Sequence, residues 1–319
     1  MLKHNLQRLI VLAVLAVGGM ARLYAWDSYG HMLVACVAYQ NLTPQTAKRA
    51  NELVQLNPNF TQWSGWVPAG VSSSDSNMII FMLAATWPDE IKTESGYKND
   101  GSQNGDRPDG SPAPSANTGY TDKLRHKYWH FIDNPFTQDG SSLPPLPTPN
   151  AQERIALFRG VLASNSDDQL KSYDLVWLLH LVGDVHQPLH CATRVTSTQP
   201  QGDSGGNLVK LHGSPNELHA FWDDVLGAGK EQDVINSVIN SAKSLPAADP
   251  SLACKTSEKD WVAESIQLST DTVYKTPIAA GSGPFTLTTA YKGNAKSVAQ
   301  ARVALAGQRL ANLLNAELK

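Results

Sequence analysis

Residues 174–190 constrain the fold more than any other part of the chain. They read D-L-V-W-L-L-H-L-V-G-D-V-H-Q-P-L-H and place His180 and Asp184 four residues apart within an apolar run. This spacing puts both side chains on the same face of one helix. Pro188 ends that helix, and His190 follows in a segment that can turn back toward the helix end. Because a buried imidazole and a buried carboxylate need partners, the stretch predicts a helix that supplies metal ligands.

The composition is that of a chain able to bury a sizeable core. It has 319 residues, of which 41% are hydrophobic and 17% are charged, with a formal net charge of -3. This length allows one large domain or two small ones. The nearly neutral charge argues against a protein that holds nucleic acid on a broad basic surface. A metal site acting on phosphates is still compatible with it, because metal ions carry their own positive charge.

The beginning of the chain is typical of a secretory leader, residues 1–25. A basic start precedes an apolar run at residues 9–17, which is too short to span a bilayer, and Ala25 offers a small residue for cleavage. An uncleaved anchor is the alternative, but nothing lengthens the apolar run. We expect cleavage before Trp26, with residues 26–319 as one secreted or periplasmic domain and no stable membrane insertion.

Three cysteines accompany this predicted compartment, Cys36, Cys191 and Cys254. An oxidising compartment would allow them to form at most one intrachain disulfide bond and leave one thiol over. The sequence does not determine which pair would form it.

Hydrophobic periodicity predicts a mainly helical chain. The expected helices are residues 31–40, 44–56, 78–85, 151–162, 167–185, 217–226, 232–241 and 257–272, and a terminal one that ends near residue 318. Residues 93–125, 134–150 and 196–206 are expected loops, 128–133 a short core segment and 207–211 a strand-like stretch. Because no repeat of fixed period occurs, we predict a single all-α domain with a short β-hairpin-like stretch.

Histidines and aspartates recur in an ordered set of motifs. A second His-x-x-x-Asp pair stands at His219 and Asp223, W-P-D occupies residues 87–89, and W-H-F-I-D occupies 129–133. A single His-Asp pair is more often part of a core than a metal site. Several of them are harder to explain as packing. Imidazole and carboxylate form a ligand set that suits zinc, and no cysteine cluster competes with them.

The order of these motifs resembles that of the secreted trinuclear-zinc nucleases of mung bean and mould type, with zinc-dependent phospholipase C as a more distant relative. The resemblance is strong from Trp26 to about Leu226. The motifs that carry it are Trp26, Gly30-His31, W-P-D at 87–89, H-F-I-D at 130–133, the His180/Asp184/His190 pattern, G-G-N at 205–207, and the His219/Asp223 pair.

The resemblance implies three zinc ions. One would be held by Asp89, His130, His180 and Asp184; another by the amino and carbonyl groups of Trp26 with His31 and Asp184; the third by His190, His219 and Asp223. Asp184 would then be a bridging carboxylate. Cleavage before Trp26 would become part of the chemistry, because it frees the α-amine.

The implied activity is hydrolysis of phosphodiester bonds in single-stranded DNA and RNA to 5'-nucleotides, with 3'-nucleotidase activity, by a monomer. Asp89 would orient the attacking water, and Lys92 would contact the phosphate where relatives often place an arginine. Phe131 would stack on a base, Asp133 would accept hydrogen bonds from the base edge, and Asn207 would contact phosphate or sugar. Single-strand preference would follow because a base must leave its stack to reach the pocket.

Three other interpretations each fit part of the sequence. A zinc phospholipase C would need an apolar rim, for which Trp63, Trp66 and Val67 are candidates, and a non-catalytic zinc-holding protein would need no substrate residues. The string G-D-S-G-G at residues 202–206 occurs around the nucleophile of trypsin-like proteases, but those are all-β barrels. A helical chain therefore does not support Ser204 as a nucleophile.

The remaining histidines outside the leader are His126, His186 and His212. None of them has a ligand role in the pattern. For His186, a surface position is favoured over a role as hydrogen-bond partner of a ligand.

Overall fold

Helices dominate the part of the chain that the computed structural model describes, which is residues 26–108, 117–278 and 280–318. The predicted leader, residues 1–25, lies outside the described residues. The all-α class predicted from the sequence is confirmed. Within the described ranges, no helix is both long enough and apolar enough to cross a membrane.

The α-helices of the described residues are numbered in chain order. They are α1 (Ser28–Gln40), α2 (Pro44–Val54), α3 (Phe60–Trp66), α4 (Ser73–Ala84), α5 (Trp87–Glu90), α6 (Ser102–Gly105), α7 (Ala151–Ala163), α8 (Asp168–Asp184), α9 (Leu218–Asp224), α10 (Glu231–Ala242), α11 (Pro250–Ala253), α12 (Glu258–Leu268) and α13 (Thr289–Glu317). Within the described residues, three 3-10 helices (Gly119–Thr121, Lys127–His130 and Pro188–His190) and a π-helical turn (Ser269–Val273) add to these. The strands are β1 (Arg107–Pro108), β2 (Asn134–Thr137) and β3 (Ala192–Val195).

Helix α8 lies at the centre of the core. The carboxylate of Asp167 caps its first turn by accepting from the Leu170 amide, and every residue from Lys171 to Asp184 is buried. Helices α1, α2, α7 and α13 pack around it. A helix that is apolar on nearly all sides requires such complete enclosure. The helix predicted at residues 167–185 is therefore confirmed and ends at Asp184.

Helix α13 runs along α1 and closes one side of the core. The two backbones approach closely at Gly307, where an added Cβ would lie 2.5 Å from the Val37 Cβ and 2.9 Å from the Val34 carbonyl oxygen. A larger residue would therefore push α13 away from α1. This contact sets the distance between the terminal helix and the helix that carries His31.

A pair of short parallel strands joins two distant parts of the chain. Strand β2 pairs with β3, with Asn134 opposite Ala192. The Ile132 amide donates to the His190 carbonyl just before them, at 2.8 Å. The sequence placed β2 in a loop, because a strand of four residues carries too little pattern to be recognised. Residues 207–211, expected to be strand-like, form turns and isolated bridges instead.

The three cysteines carry free thiols, so the expected disulfide bond is not formed in the structure. Cys36 is buried in α1. The Cys191 thiol donates to the Val185 carbonyl at 3.3 Å, and the exposed Cys254 thiol donates to the Ser251 carbonyl at 3.2 Å. Each of these two thiols thus has a local acceptor on its own segment of the chain.

His186 is fully buried, so the favoured surface position was wrong. Its Nδ1 donates to the Val182 carbonyl at 2.7 Å, and its Nε2 lies 2.9 Å from Nη1 of Arg309. Burial lowers the pKa of His186, which keeps the ring neutral and lets Nε2 accept from the guanidinium. Arg309 and Arg302 both form ion pairs with Glu264. Helix α13 thereby holds the turn that follows α8.

Candidate active site

The predicted metal ligands converge at the carboxyl end of α8. His31 comes from α1, Asp89 from α5, His130 from the 3-10 helix before β2, His180 and Asp184 from α8, His190 from the 3-10 helix after α8, and His219 and Asp223 from α9. All of these side chains are buried. Three sets of these residues, two of which share His180, have potential ligand atoms within 4.8 Å of one another: His31, Asp89 and His180; His130, His180 and Asp184; and His190, His219 and Asp223.

The first two sets overlap around Asp184, and the side chains around its Oδ2 atom, those of Asp89, His130 and His180, form with it what is here called the first group. Asp184 Oδ2 lies 3.3 Å from His130 Nδ1 and 3.3 Å from His180 Nε2, and Asp89 Oδ1 lies 3.7 Å from both nitrogens. The Nδ1 of His180 donates to the Ala85 carbonyl at 2.8 Å. The lone pair of His180 is therefore on Nε2, which faces the group.

The second group lies on the other oxygen of Asp184. His31 Nε2 is 3.5 Å from Asp184 Oδ1, and the His31 ring stacks on His180 with centroids 3.6 Å apart. Trp26 is buried, and its indole N–H donates to the Gly183 carbonyl at 3.0 Å. A Cβ on Gly30 would lie 2.7 Å from the Trp26 Cβ, so Trp26 packs directly against the residue before His31. The two oxygens of Asp184 thus face two different groups.

The third group is formed by His190, His219 and Asp223. The Nε2 atoms of the two histidines are 3.2 Å apart, and they lie 3.9 Å and 3.4 Å from the oxygens of Asp223. The Nδ1 atoms donate to the carbonyls of His130 and Gly205, both at 2.7 Å. Both rings therefore direct an unprotonated Nε2 toward the carboxylate.

Several buried polar atoms in these groups have no hydrogen-bond partner among the described residues. Both oxygens of Asp184 and both ring nitrogens of His31 are in this state. Burial raises the pKa values of Asp184 and Asp223 and lowers those of His31 and His180. Leaving such groups unpaired is costly, and a cation held between them removes the cost. The donor set of imidazole nitrogens and carboxylate oxygens fits zinc.

Lys92 lies at the edge of the first group. Its Nζ is 2.6 Å from Oδ1 of Asp89, and its side chain is 9% exposed. The ion pair between residues one helical turn apart places a positive charge beside the ligand cluster. The structure therefore brings together the two residues that the sequence predicted as catalytic.

Phe131 and Asp133 lie in the short segment between His130 and β2. Phe131 is half-buried and packs against the core. Asp133 is buried with a backbone φ of 51°, in the left-handed region. Burial raises the pKa of Asp133 to about 6, with the charge of Arg107 lowering it and that of Asp203 raising it. Above about pH 6 this residue can offer a carboxylate acceptor.

Asn207 is half-buried, and its amide donates to the Ser204 carbonyl at 2.7 Å. Arg107 approaches the same loop, donating from Nη2 to Ser204 Oγ at 3.2 Å. Arg107 could not be recognised from the sequence, because it lies in a long stretch without hydrophobic period, where nothing indicates which residue folds back. The Arg107 contact thus adds a guanidinium near Asp133 and Asn207.

His126 supports the segment that carries His130, although it is not one of the grouped ligands. Its ring nitrogens lie 2.6 Å from Asp100 and 2.8 Å from Asp122, and the ring stacks on Trp129 with centroids 3.5 Å apart. Burial alone would lower the pKa of His126, but the hydrogen bonds to the two carboxylates raise it overall. The two carboxylates thus hold the ring from both sides and anchor the segment.

Comparison with known proteins agrees with this arrangement. A family model described as S1/P1 Nuclease matches residues 26–319. Endonuclease 2 of Arabidopsis thaliana is 21% identical over 322 residues, covering 96% of this chain and 95% of the relative. Endonuclease 1 of the same plant is 23% identical over 344 residues, covering 98% and 93%. Endonuclease 3 is 29% identical over 157 residues, covering 44% of this chain and 50% of the relative.

Proposed function

The chain belongs to the S1/P1 nuclease family and is a nuclease, and we propose that it uses three zinc ions to hydrolyse phosphodiester bonds of single-stranded DNA and RNA to 5'-nucleotides. A 3'-nucleotidase activity is part of the same proposal. The observation that carries it is the convergence of three buried ligand groups at the end of α8, with Asp184 facing two of them.

The residues that would hold the ions follow from these groups. Asp89, His130, His180 and Asp184 would hold one; Trp26, His31 and Asp184 the second; His190, His219 and Asp223 the third. The packing of Trp26 against Gly30 supports its place beside His31. Its amino group becomes a ligand only if residues 1–25 are removed, as expected of a leader that directs the protein to the periplasm or outside the cell.

Two side chains of the chain, those of Asp89 and Lys92, have separate roles around the scissile phosphate. When bound, zinc ions stabilise negative charge on phosphate oxygens and make water more acidic. Asp89 accepts a hydrogen bond from the attacking water and orients it toward phosphorus. Lys92 sets its charge against a non-bridging phosphate oxygen, and its ion pair with Asp89 fixes the two groups relative to each other. Burial keeps competing water away from both.

The nucleoside would lie over Phe131 and Asp133. The half-buried ring of Phe131 offers a stacking face, and Asp133 offers an acceptor for a base edge. Asn207 donates to the Ser204 carbonyl through one amide hydrogen, which leaves the other for the phosphate or the sugar. A base can reach this pocket only after it leaves its stack, which favours single-stranded substrates.

Phe131→Ala is expected to raise KM for a single-stranded oligonucleotide about tenfold, because loss of base stacking costs about 1 to 3 kcal/mol. The value of kcat should change much less, since the ligand groups stay intact. The measurement is steady-state hydrolysis of a fluorescent oligonucleotide. Phe131→Tyr keeps the ring face and should retain the original KM. Equal KM values in the wild type and Phe131→Ala would remove Phe131 from the base site.

The substrate class is tested by incubating the purified mature protein with single-stranded DNA, RNA, duplex DNA and lecithin vesicles, with and without a chelator. Rapid cleavage of the single strands, slow cleavage of the duplex and complete inhibition by the chelator are expected. Products should carry 5'-phosphates, and 3'-nucleotides should be dephosphorylated. Turnover of lecithin without cleavage of nucleic acid would support phospholipase activity, and binding of zinc without turnover of any substrate would support a storage role.

The phospholipase alternative needs an apolar rim that faces a membrane. Trp63, one of its three candidates, is fully buried, and Trp66 and Val67 are only partly exposed and pack against the core. Their side chains therefore serve packing. This arrangement favours the nuclease over the phospholipase.

A further inference from the structure

The loop that spans residues 202–206, called the 202–206 loop, has an unusual backbone. Gly202, Ser204, Gly205 and Gly206 all have φ values between 54° and 86°. This left-handed region suits glycine but is strained for serine. A loop with this conformation needs stabilising contacts to the rest of the fold. Asp203 is the one residue of the 202–206 loop whose φ lies outside the left-handed region.

Asp203 is fully buried and receives hydrogen bonds from two neighbouring segments of the fold. Its Oδ1 accepts from the backbone amides of Arg194, in β3, and Gly206, at 3.0 and 3.1 Å. Its Oδ2 accepts from the Tyr274 hydroxyl at 2.8 Å and lies 3.7 Å from Nε of Arg194. Burial raises the pKa of Tyr274 well above its usual range, so the phenol remains a donor. The carboxylate thus ties the loop to β3 and to the end of the π-helical turn.

The loop delivers a single backbone carbonyl to the third ligand group. The Gly205 carbonyl accepts from Nδ1 of His219 at 2.7 Å, which leaves Nε2 of His219 unprotonated and facing Asp223 at 3.4 Å. The fit is close, since a Cβ on Gly205 would lie 2.5 Å from the Leu189 carbonyl oxygen and 3.3 Å from His219 Nδ1. A small displacement of the loop would therefore turn the imidazole or change its tautomer.

We propose that Asp203 is a positioning residue for the third metal site, acting through the 202–206 loop and the Gly205 carbonyl on His219, with Tyr274 as its supporting donor. The inference rests on the proposed metal-dependent function. It gives the G-D-S-G-G string a role unrelated to that of the protease motif: the aspartate anchors, the glycines allow close approach, and Ser204 is not a nucleophile. Asp203 itself does not contact substrate.

Tyr274→Phe and Asp203→Asn test the inference. Tyr274→Phe removes the hydroxyl that donates to Oδ2 of Asp203. Asp203→Asn keeps an oxygen that accepts from the two backbone amides, but it places an NH2 group near the Arg194 guanidinium. Since a guanidinium cannot accept a hydrogen bond, that NH2 group has no acceptor there. Tyr120→Phe is the matched control, because Tyr120 is half-buried and its hydroxyl bonds Ser172 and Asn57, away from this loop. All three should lower Tm by a few degrees.

The discriminating measurement is zinc retention under increasing chelator, followed by native mass spectrometry. In Tyr274→Phe and Asp203→Asn, one zinc should dissociate at about 10- to 100-fold lower chelator activity, while the others are retained as in the wild type. Tyr120→Phe should match the wild type despite its lower Tm. Equal retention in all four proteins would overturn the inference and leave the proposed function standing. A wild type that binds no zinc would overturn both.

Discussion

Asp184→Asn is expected to lower kcat/KM on single-stranded DNA by on the order of 10³-fold, the largest effect of any single substitution considered. One oxygen of Asp184 faces His130 and His180, and the other faces His31. An asparagine can present an oxygen to only one side, so one of the two proposed neighbouring ions would lose a ligand. Metal ions contribute several kcal/mol of charge stabilisation in the transition state, and about 1.4 kcal/mol corresponds to a tenfold change in rate.

A matched control for this substitution lies on the same helix. Asp174→Asn alters a carboxyl that is also fully buried, and whose oxygens accept from the Asn117 amide at 2.9 and 2.8 Å. Burial raises the pKa of Asp174 to about 8, so its carboxyl is mostly neutral at pH 7 and an amide is a close substitute. Asp174→Asn should retain zinc and activity, whereas Asp184→Asn should have less zinc by direct metal analysis. Full zinc content and activity in Asp184→Asn would contradict the bridging role.

Removal of the metal ions is expected to lower Tm by on the order of 10 °C for each ion lost, and to abolish activity. The proposed ligands come from α1, α5, α8, α9 and two 3-10 helices, so the ions would connect elements that are far apart in sequence. A ligand present at a thousand times its Kd stabilises the native state by about 4 kcal/mol. About 1 kcal/mol shifts Tm by roughly 2 °C in a chain of this size.

The measurement is a thermal melt of the mature protein with and without a strong chelator, with activity and zinc content recorded on the same samples. Intact mass should show Trp26 as the first residue. Adding zinc back to the chelated protein should restore Tm and activity, whereas adding the same concentration of magnesium should not, because the site offers nitrogen ligands. An unchanged Tm in chelator, with zinc absent, would show that the fold does not depend on the metal.

The central helix and the ligand motifs could be predicted because the signals are local. The spacing of His180 and Asp184 within an apolar run indicates one helical face regardless of what packs around it. The same applies to His219 and Asp223, on a helix of seven residues. A buried helix face that carries a histidine and an aspartate offers nitrogen and oxygen ligands, and this limits the partners that it can bind.

Features that depend on long-range contacts could not be predicted in this way. The β2–β3 pair, which sets the His130 segment beside His190, joins residues about 58 apart with only four residues on each side. Arg107 reaches Ser204 from a stretch without periodicity. His186 contacts Arg309 across 123 residues. In each case, the position is decided by a partner that the local sequence does not indicate.

The cysteines illustrate a different limit. The predicted compartment would allow a disulfide bond to form, but oxidising conditions do not place two thiols within bonding distance. Cys191 lies in the turn behind the ligand groups, where its thiol donates to a backbone carbonyl. The predicted compartment therefore does not indicate which thiols are paired in the structure.

The orientation of α8 has an electrostatic consequence. Peptide dipoles along its 17 residues add up to a partial negative charge at the carboxyl end, which is where Asp184 lies. Because the helix is enclosed by the core, solvent screens this field only weakly. The end of the helix attracts cations and repels phosphate before any ion is bound. The proposed ions would therefore have to reverse the sign of the local potential first, so we expect metal to bind before nucleic acid.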